Sequence, residues 1–290
     1  MKVGKIMDFN FGRTLKKIRK GKQVSISSLA DNYLSKSQIS RFERGESEIT
    51  CSRLVNLLNK LNISVEEFLI IHNNDCDKEK NFVDLVNYVR KNYSLQRYKE
   101  IKDLLLSSSY RLKNIEKTML KSIIYSFDCT ICPTQNELKE LTDYLFKVEN
   151  WGYYEIILLG NCIRTIEYSA FYLLTKEMLE NFIYSSLNKT NKKLVVQLAI
   201  NCLIASIDLK NYENCQYLIT KIERLLKNEL NYYEQTVFLY VLGYYEFMKN
   251  KKTGKQKMLQ ALQVFLILNE KNMYKQYKEH YTEITNDTSF

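Results

Sequence analysis

In 290 residues the chain carries only 8 glycines and one proline, Pro133. Proline removes a backbone donor and glycine raises the entropic cost of ordering, so both are poor in helix interiors, whereas turns between strands draw on them repeatedly. So few of either cannot furnish the turns of a strand-rich fold. The chain is predicted to be all-α, with helices joined by short polar turns. Hydrophobic residues at 45% and charged residues at 26% fit folded cores rather than disorder. The length leaves room for two domains.

The formal charge of +10 is concentrated at one end. Residues 1–30 hold Lys2, Lys5, Arg13, Lys16, Lys17, Arg19, Lys20 and Lys22 against Asp8 alone. A basic cluster on one folded unit suits a polyanion, although charge by itself does not exclude a solvated face. Phe11, Leu15 and Ile18 recur at helical spacing with the cations on the other faces, and Gly21 ends that helix. Ser25 is placed to cap a short second helix, and Ser35 a third after the turn Asn32-Tyr33-Leu34. In the third, Ile39 and Phe42 point inward while Lys36, Ser37, Gln38, Ser40, Arg41 and Arg44 are polar, and Gly45 stops it. A fourth runs from about Ser52 to Leu61, and a fifth carries Val65 and Phe68. Two short helices joined by a tight turn, the second rich in donors, is the helix-turn-helix arrangement.

From Phe82 onward, apolar and aromatic residues recur at three and four, broken by polar turns such as Asn188–Asn191 and Lys249–Lys252. That pattern is a stack of helical hairpins with segment lengths near the tetratricopeptide period of about 34 residues. The polar run 72–80 reads as a linker. The expected organisation is 1–70 for DNA binding, 71–80 linker, 81–284 helical repeats and 285–290 tail. Two repeat helices carry polar residues where a pure core would not. Asn161 and Arg164 share one face, as do Gln197 and Asn201. An asparagine amide both donates and accepts, which suits it to a peptide backbone. The alternative for each, and for Gln197 above all, is a hydrogen bond between repeats. Trp151, Tyr153 and Tyr154 read as packing.

The run Leu34–Ser64, LSKSQISRFERGESEITCSRLVNLLNKLNIS, resembles the DNA-binding domain of the Cro/repressor class, and in particular the Rgg family of streptococcal peptide-pheromone receptors. The likeness continues through WGYYEIILLGNCIR, LTKEM and NKTNKKLVVQLAINCLIASID, nearly the whole chain. It implies a right-handed solenoid of tetratricopeptide-like repeats, a homodimer on an inverted-repeat operator in double-stranded DNA, and a short hydrophobic peptide in the concave face. By position it assigns base reading to Lys36, Ser37 and Arg41, with Gln38 and Ser40 weaker candidates. Arg13, Ser25 and Arg44 fall to phosphates. It assigns the peptide to Asn161, Arg164, Gln197 and Asn201. It also implies that Cys51 pairs with its twin across the dimer, the alternative being an ordinary reduced thiol.

Other classes find little support. The seven cysteines are an odd number spread over a long chain, and Cys129-Thr-Ile-Cys132 has no second pair and no nearby histidine, so no metal site is expected. Asp/Glu pairs occur throughout, but none sits beside a His or Cys in a way that suggests catalysis, and no glycine-rich phosphate loop is present. No catalysis and no cofactor are therefore expected. No apolar run is long enough for a membrane span, and residues 1–10 lack the apolar core of a signal peptide, which points to the cytoplasm. A helical scaffold for protein partners and a repressor without a ligand are the readings left beside a peptide-controlled regulator.

Overall fold

The computed structural model describes residues 11–74, 80–107, 110–183, 189–227 and 231–287. The reading of the N-terminus as free of a signal segment rests on residues 1–10, outside those described. Sixteen helices and one isolated parallel bridge, Trp151 to Phe182, make up the secondary structure among the described residues. None of these helices is long and apolar enough to cross a membrane. The chain divides into two compact units, 1–80 and 81–290.

The first unit holds α1 (Phe11–Gly21), α2 (Ile26–Leu29), α3 (Lys36–Glu43), α4 (Cys51–Lys60) and α5 (Val65–Asn74). Leu15 and Ile18 of α1, Ile39 and Phe42 of α3, Leu57 and Leu58 of α4 and Phe68 of α5 form its core. The expected linker begins too early, because α5 continues to Asn74 and buries His72, whose Nδ1 lies 2.9 Å from Thr14 Oγ1. Arg19 also departs from the expected basic surface. It turns inward and forks onto Glu43, with Nε donating to Oε1 at 2.6 Å and Nη2 to Oε2 at 2.7 Å. Two opposite charges buried together, each satisfying the other, clamp α1 to α3. Gly12 makes the same contact possible from the other direction, since a Cβ there would lie 1.7 Å from the Phe42 carbonyl oxygen.

The second unit holds α6 (Phe82–Ser94), α7 (Tyr98–Asp103), α8 (Asn114–Tyr125), α9 (Gln135–Leu145), α10 (Tyr153–Asn161) and α11 (Tyr168–Asn181). It continues with α12 (Lys189–Asp208), α13 (Tyr212–Leu226), α14 (Tyr232–Met248), α15 (Thr253–Ile267) and α16 (Lys271–Thr285). Helices α8, α10, α12 and α14 pack each against the next, and α9, α11, α13 and α15 back them in turn. This is the hairpin stack that the periodicity predicts. One continuous core runs through it, from Leu85 to Tyr281. Tyrosines stitch neighbouring repeats by donating to carboxylates, Tyr154 to Glu116 at 2.9 Å, Tyr217 to Glu180 at 2.9 Å and Tyr244 to Asp208 at 2.8 Å. Trp151 is fully buried, as packing requires.

How a chain with so few glycines stops so many helices is visible at their ends. A helix commonly ends on a left-handed residue, usually glycine, that returns two amides to the last carbonyls. Here Gln23, Asn62, Gln96, Lys210, Asn250 and Asn269 take that place, with φ between 50° and 59°. After α12, for example, Lys210 N donates to Ile207 O at 2.9 Å and Asn211 N to Ser206 O at 2.9 Å. Asparagine tolerates this region better than most residues, and asparagine or glutamine fills five of these six places, with Lys210 the sixth.

Candidate functional site

The start of α3 is fixed by a reciprocal cap. Ser35 Oγ accepts from Gln38 N at 3.3 Å, while Gln38 Oε1 accepts from Ser35 N at 2.9 Å. Ile39 and Phe42 anchor the buried face, which leaves Lys36, Ser37 and Arg41 exposed on the other. Lys36 and Arg41 make no side-chain hydrogen bond among the described residues. The remaining expected DNA contacts are differently engaged. Gln38 has its oxygen committed to the cap. Arg44 forks onto Glu46 at 2.5 and 2.7 Å and donates to Ser40 Oγ at 2.5 Å, holding the Glu46 carboxyl below its ordinary range. Ser25 caps α2 through Ser28 N at 3.1 Å. A phosphate would have to draw Arg44 away from Glu46, whereas Lys36 and Arg41 have no such bond to break.

A recess of about 630 Å³ beside α3 is lined by Arg13, Lys16, Lys17 and Lys20 of α1 together with Glu43, Arg44 and Glu46. Of its α1 cations, sequence reasoning singled out Arg13 alone as a contact. The signal was present in the spacing, since positions 13, 16, 17 and 20 fall on one helical face.

In the second unit, a groove of about 700 Å³ runs over α6, α8, α10 and α12. Its apolar part includes Val89, Ile123, Ile163 and Ile204, and its polar part includes Asn161, Arg164 and Asn201. Three of the four residues expected to meet a peptide thus lie on one surface. Asn161 Nδ2 donates to Ile157 O at 2.8 Å and faces Met119 Sδ at 3.9 Å, so its Oδ1 remains to accept. Arg164 and Asn201 are exposed and make no side-chain hydrogen bond among the described residues. Gln197 is elsewhere, donating to Glu234 Oε1 at 3.0 Å and so tying α12 to α14. Two charged lining residues were not anticipated. Arg90 lies on α6 and Asp208 ends α12. Each stands at helical spacing from a groove residue, Arg90 from Ser94 and Asp208 from Asn201, but only the packing of repeats brings them to the same groove.

Cys51 is the first residue of α4, exposed, and follows the cap that Thr50 makes to Arg53 N at 3.4 Å. Cys129 and Cys132 are exposed in the turn between α8 and α9, while Cys76 lies outside the described residues. Among the described residues, no group of three or more His, Cys, Asp or Glu side chains is placed to hold a metal.

Comparison with known proteins accounts for both units. Residues 15–68 match the helix-turn-helix family model, and residues 98–279 match the C-terminal domain of HTH-type transcriptional regulator Rgg. The crystal structure of the Streptococcus dysgalactiae SHP pheromone receptor Rgg2 is similar at 55% identity, over 95% of this chain and 100% of that one, with a TM-score of 0.88. A Cys-to-Ser variant of that receptor matches equally well. The PrgX/cCF10 complex shares the fold at 20% identity, over 96% of this chain and 93% of that one, with a TM-score of 0.72. This chain belongs to the Rgg family of helix-turn-helix transcriptional regulators.

Proposed function

We propose that this regulator reads DNA through α3 and is switched by a short hydrophobic peptide held in the groove of its second unit. The observation that carries the reading is that groove, in which Asn161, Arg164 and Asn201 stand among aliphatic side chains. Aliphatic burial supplies affinity without direction, and the amides and the guanidinium fix register and polarity. Arg164 pairs with a carboxylate of the peptide, and the basic excess of the chain steers it. Four helices side by side, at roughly 8–10 Å between neighbours, make a groove about 24–30 Å long. An extended peptide of eight residues spans about 26–29 Å. The 55% identical relative is itself a pheromone receptor.

On DNA, Lys36, Ser37 and Arg41 face base edges from the major groove, and Arg13 with its neighbours on α1 meets phosphates. A homodimer presents two such helices to inverted half-sites. Cys51, exposed at the start of α4, pairs with its twin across the dimer in this reading. The protein works in the cytoplasm, with no catalytic step and no cofactor.

Asn201→Ala and Arg164→Ala test the reading. Each is expected to cut affinity for a labelled hydrophobic octapeptide encoded beside the gene at least tenfold, measured by fluorescence polarisation, with melting and peptide-free DNA binding unchanged. Wild-type affinity in both variants would mean that these residues only line the repeats.

A further inference from the structure

Gly160 lies on the groove lining between Ile157, which holds the Asn161 amide, and Ile163. Three other glycines have an evident packing reason, and Gly21, whose Cβ would meet nothing, closes α1. A Cβ on Gly12, Gly243 or Gly254 would come within 1.7, 2.8 or 2.4 Å of backbone atoms. Gly160 has none. It is the last residue but one of α10, in ordinary helical conformation, and a Cβ there would meet only Leu198 Cδ1, at 3.5 Å, which is normal contact. Where the backbone is helical, glycine still costs stability relative to alanine, even in a last turn, because it frees the unfolded chain and packs nothing. A costly residue that neither the backbone nor the packing requires, on the face of a groove, leaves room for whatever occupies the groove.

The surroundings of that room give its chemistry. The one neighbour of that Cβ position is the Leu198 methyl, and Ile163, Ile204 and Ala205 line the same groove, so the space is apolar on that side. Beside it, Asn161 has its amide nitrogen held by Ile157 O, and no described group donates to its Oδ1. We propose that the gap over Gly160 receives one branched aliphatic side chain of the bound peptide, while Asn161 Oδ1 accepts the peptide N–H next to it. Gly160 is then a specificity-determining residue, setting which position of the peptide must be bulky. The inference rests on the reading of the groove as a peptide site and goes further by assigning one subsite within it.

The test uses the full chain as wild type, Gly160→Ala, Gly160→Val and Asn201→Ala. The probe is a synthetic library of octapeptides with one aspartate and Ile, Val, Ala or Gly at the other positions. Retained peptides are sequenced by mass spectrometry. Wild type is expected to select Ile or Val at one particular position. Gly160→Val is expected to shift that position alone to Gly or Ala, by at least tenfold in relative retention. Gly160→Ala shifts it the same way to a smaller degree and melts at or above the wild-type temperature, so the test survives if the valine variant folds poorly. Identical selection by wild type and Gly160→Ala would overturn the assignment, as would a uniform loss at every position. Failure of the wild type to retain any peptide, or undiminished retention by Asn201→Ala, would instead sink the groove as the peptide site.

Discussion

Replacing Gly12 by alanine adds one methyl group at the point where α1 crosses α3. That carbon would fall 1.7 Å from the Phe42 carbonyl oxygen, where at least 3.0 Å is needed, so the helices must part by about 1.3 Å. Neither neighbour can yield, because the contact is backbone rather than the end of a flexible side chain. Overfilling a packed interior typically costs about 1–3 kcal/mol, and a radial gap of 0.5–1 Å already forfeits a quarter to a half of each contact it opens. Here the same displacement opens Leu15 and Ile18 against Ile39 and Phe42 and stretches the Arg19–Glu43 fork. The sum is placed at about 3 kcal/mol or more, toward the top of that range. In a domain of this size each kcal/mol shifts melting by about 4–8 °C, so the first unit should melt about 12–24 °C lower. Limited proteolysis followed by DNA binding reads the effect, since cleavage should appear within residues 11–74 while the second unit resists. Gly21→Ala is the paired control. Nothing lies within 4 Å of its Cβ position, and alanine is there expected to leave stability unchanged or raise it by up to about 1 kcal/mol. If Gly12→Ala melts within about 2 °C of wild type, less than the shift of a single kcal/mol, and binds DNA normally, then α1 and α3 do not meet through their backbones and the reasoning fails.

Arg41→Ala should lose at least tenfold in specific DNA affinity, because a good bidentate base contact is worth roughly 1–3 kcal/mol. Arg13→Ala should weaken operator and scrambled duplexes alike and flatten the salt dependence, and equal losses on both duplexes for Arg41→Ala would show that it does not read bases. Oxidised wild type should run as a crosslinked dimer on a non-reducing gel and Cys51→Ser should not; a crosslink that survives the substitution refutes the pairing. His280, whose Nδ1 lies 2.8 Å from the Tyr240 hydroxyl, is held below its ordinary pKa by burial, against the opposing charges of Asp208 and Glu283. Its neutral form is favoured in the fold, so its contribution is complete above the unfolded value near 6.5 and is lost as pH falls toward the folded one. Melting curves between pH 7.5 and 5 should therefore slope less in His280→Gln, and parallel curves would show that the ring titrates alike in both states.

Much of this was legible in the sequence because it depends on local chemistry. Ser25 and Ser35 signalled the starts of α2 and α3, apolar spacing placed Ile39 and Phe42 inside, and the scarcity of glycine and proline excluded a sheet. What depends on distant partners was harder to read. Arg19 looks like one more surface cation until Glu43, 24 residues away, is found beside it. Gln197 has the same flanking pattern as Asn201, and only the position of Glu234 on α14 tells them apart. The α5 boundary was misjudged for a related reason. His72-Asn73-Asn74 reads as polar loop, yet burial of His72 against Thr14, Phe11 and Phe68 carries the helix through it. Arg90 and Asp208 had no local mark of their role, since a groove between repeats exists only once the repeats are stacked.

The stacking has a mechanical side. In a row of hairpins each member touches only its neighbours, so bending is shared out as many small, nearly independent rotations. A ligand laid along the row from α6 to α12 breaks that independence by touching four members together. It acts as an inextensible cord on the inner side of a flexible arc, setting one radius for the whole stretch and stiffening it. Two peptides of equal affinity but different length or bulk would then impose different curvatures. The receptor would respond to the shape of its occupant as well as to its presence, so a peptide that binds tightly yet bends the arc the wrong way would be an antagonist.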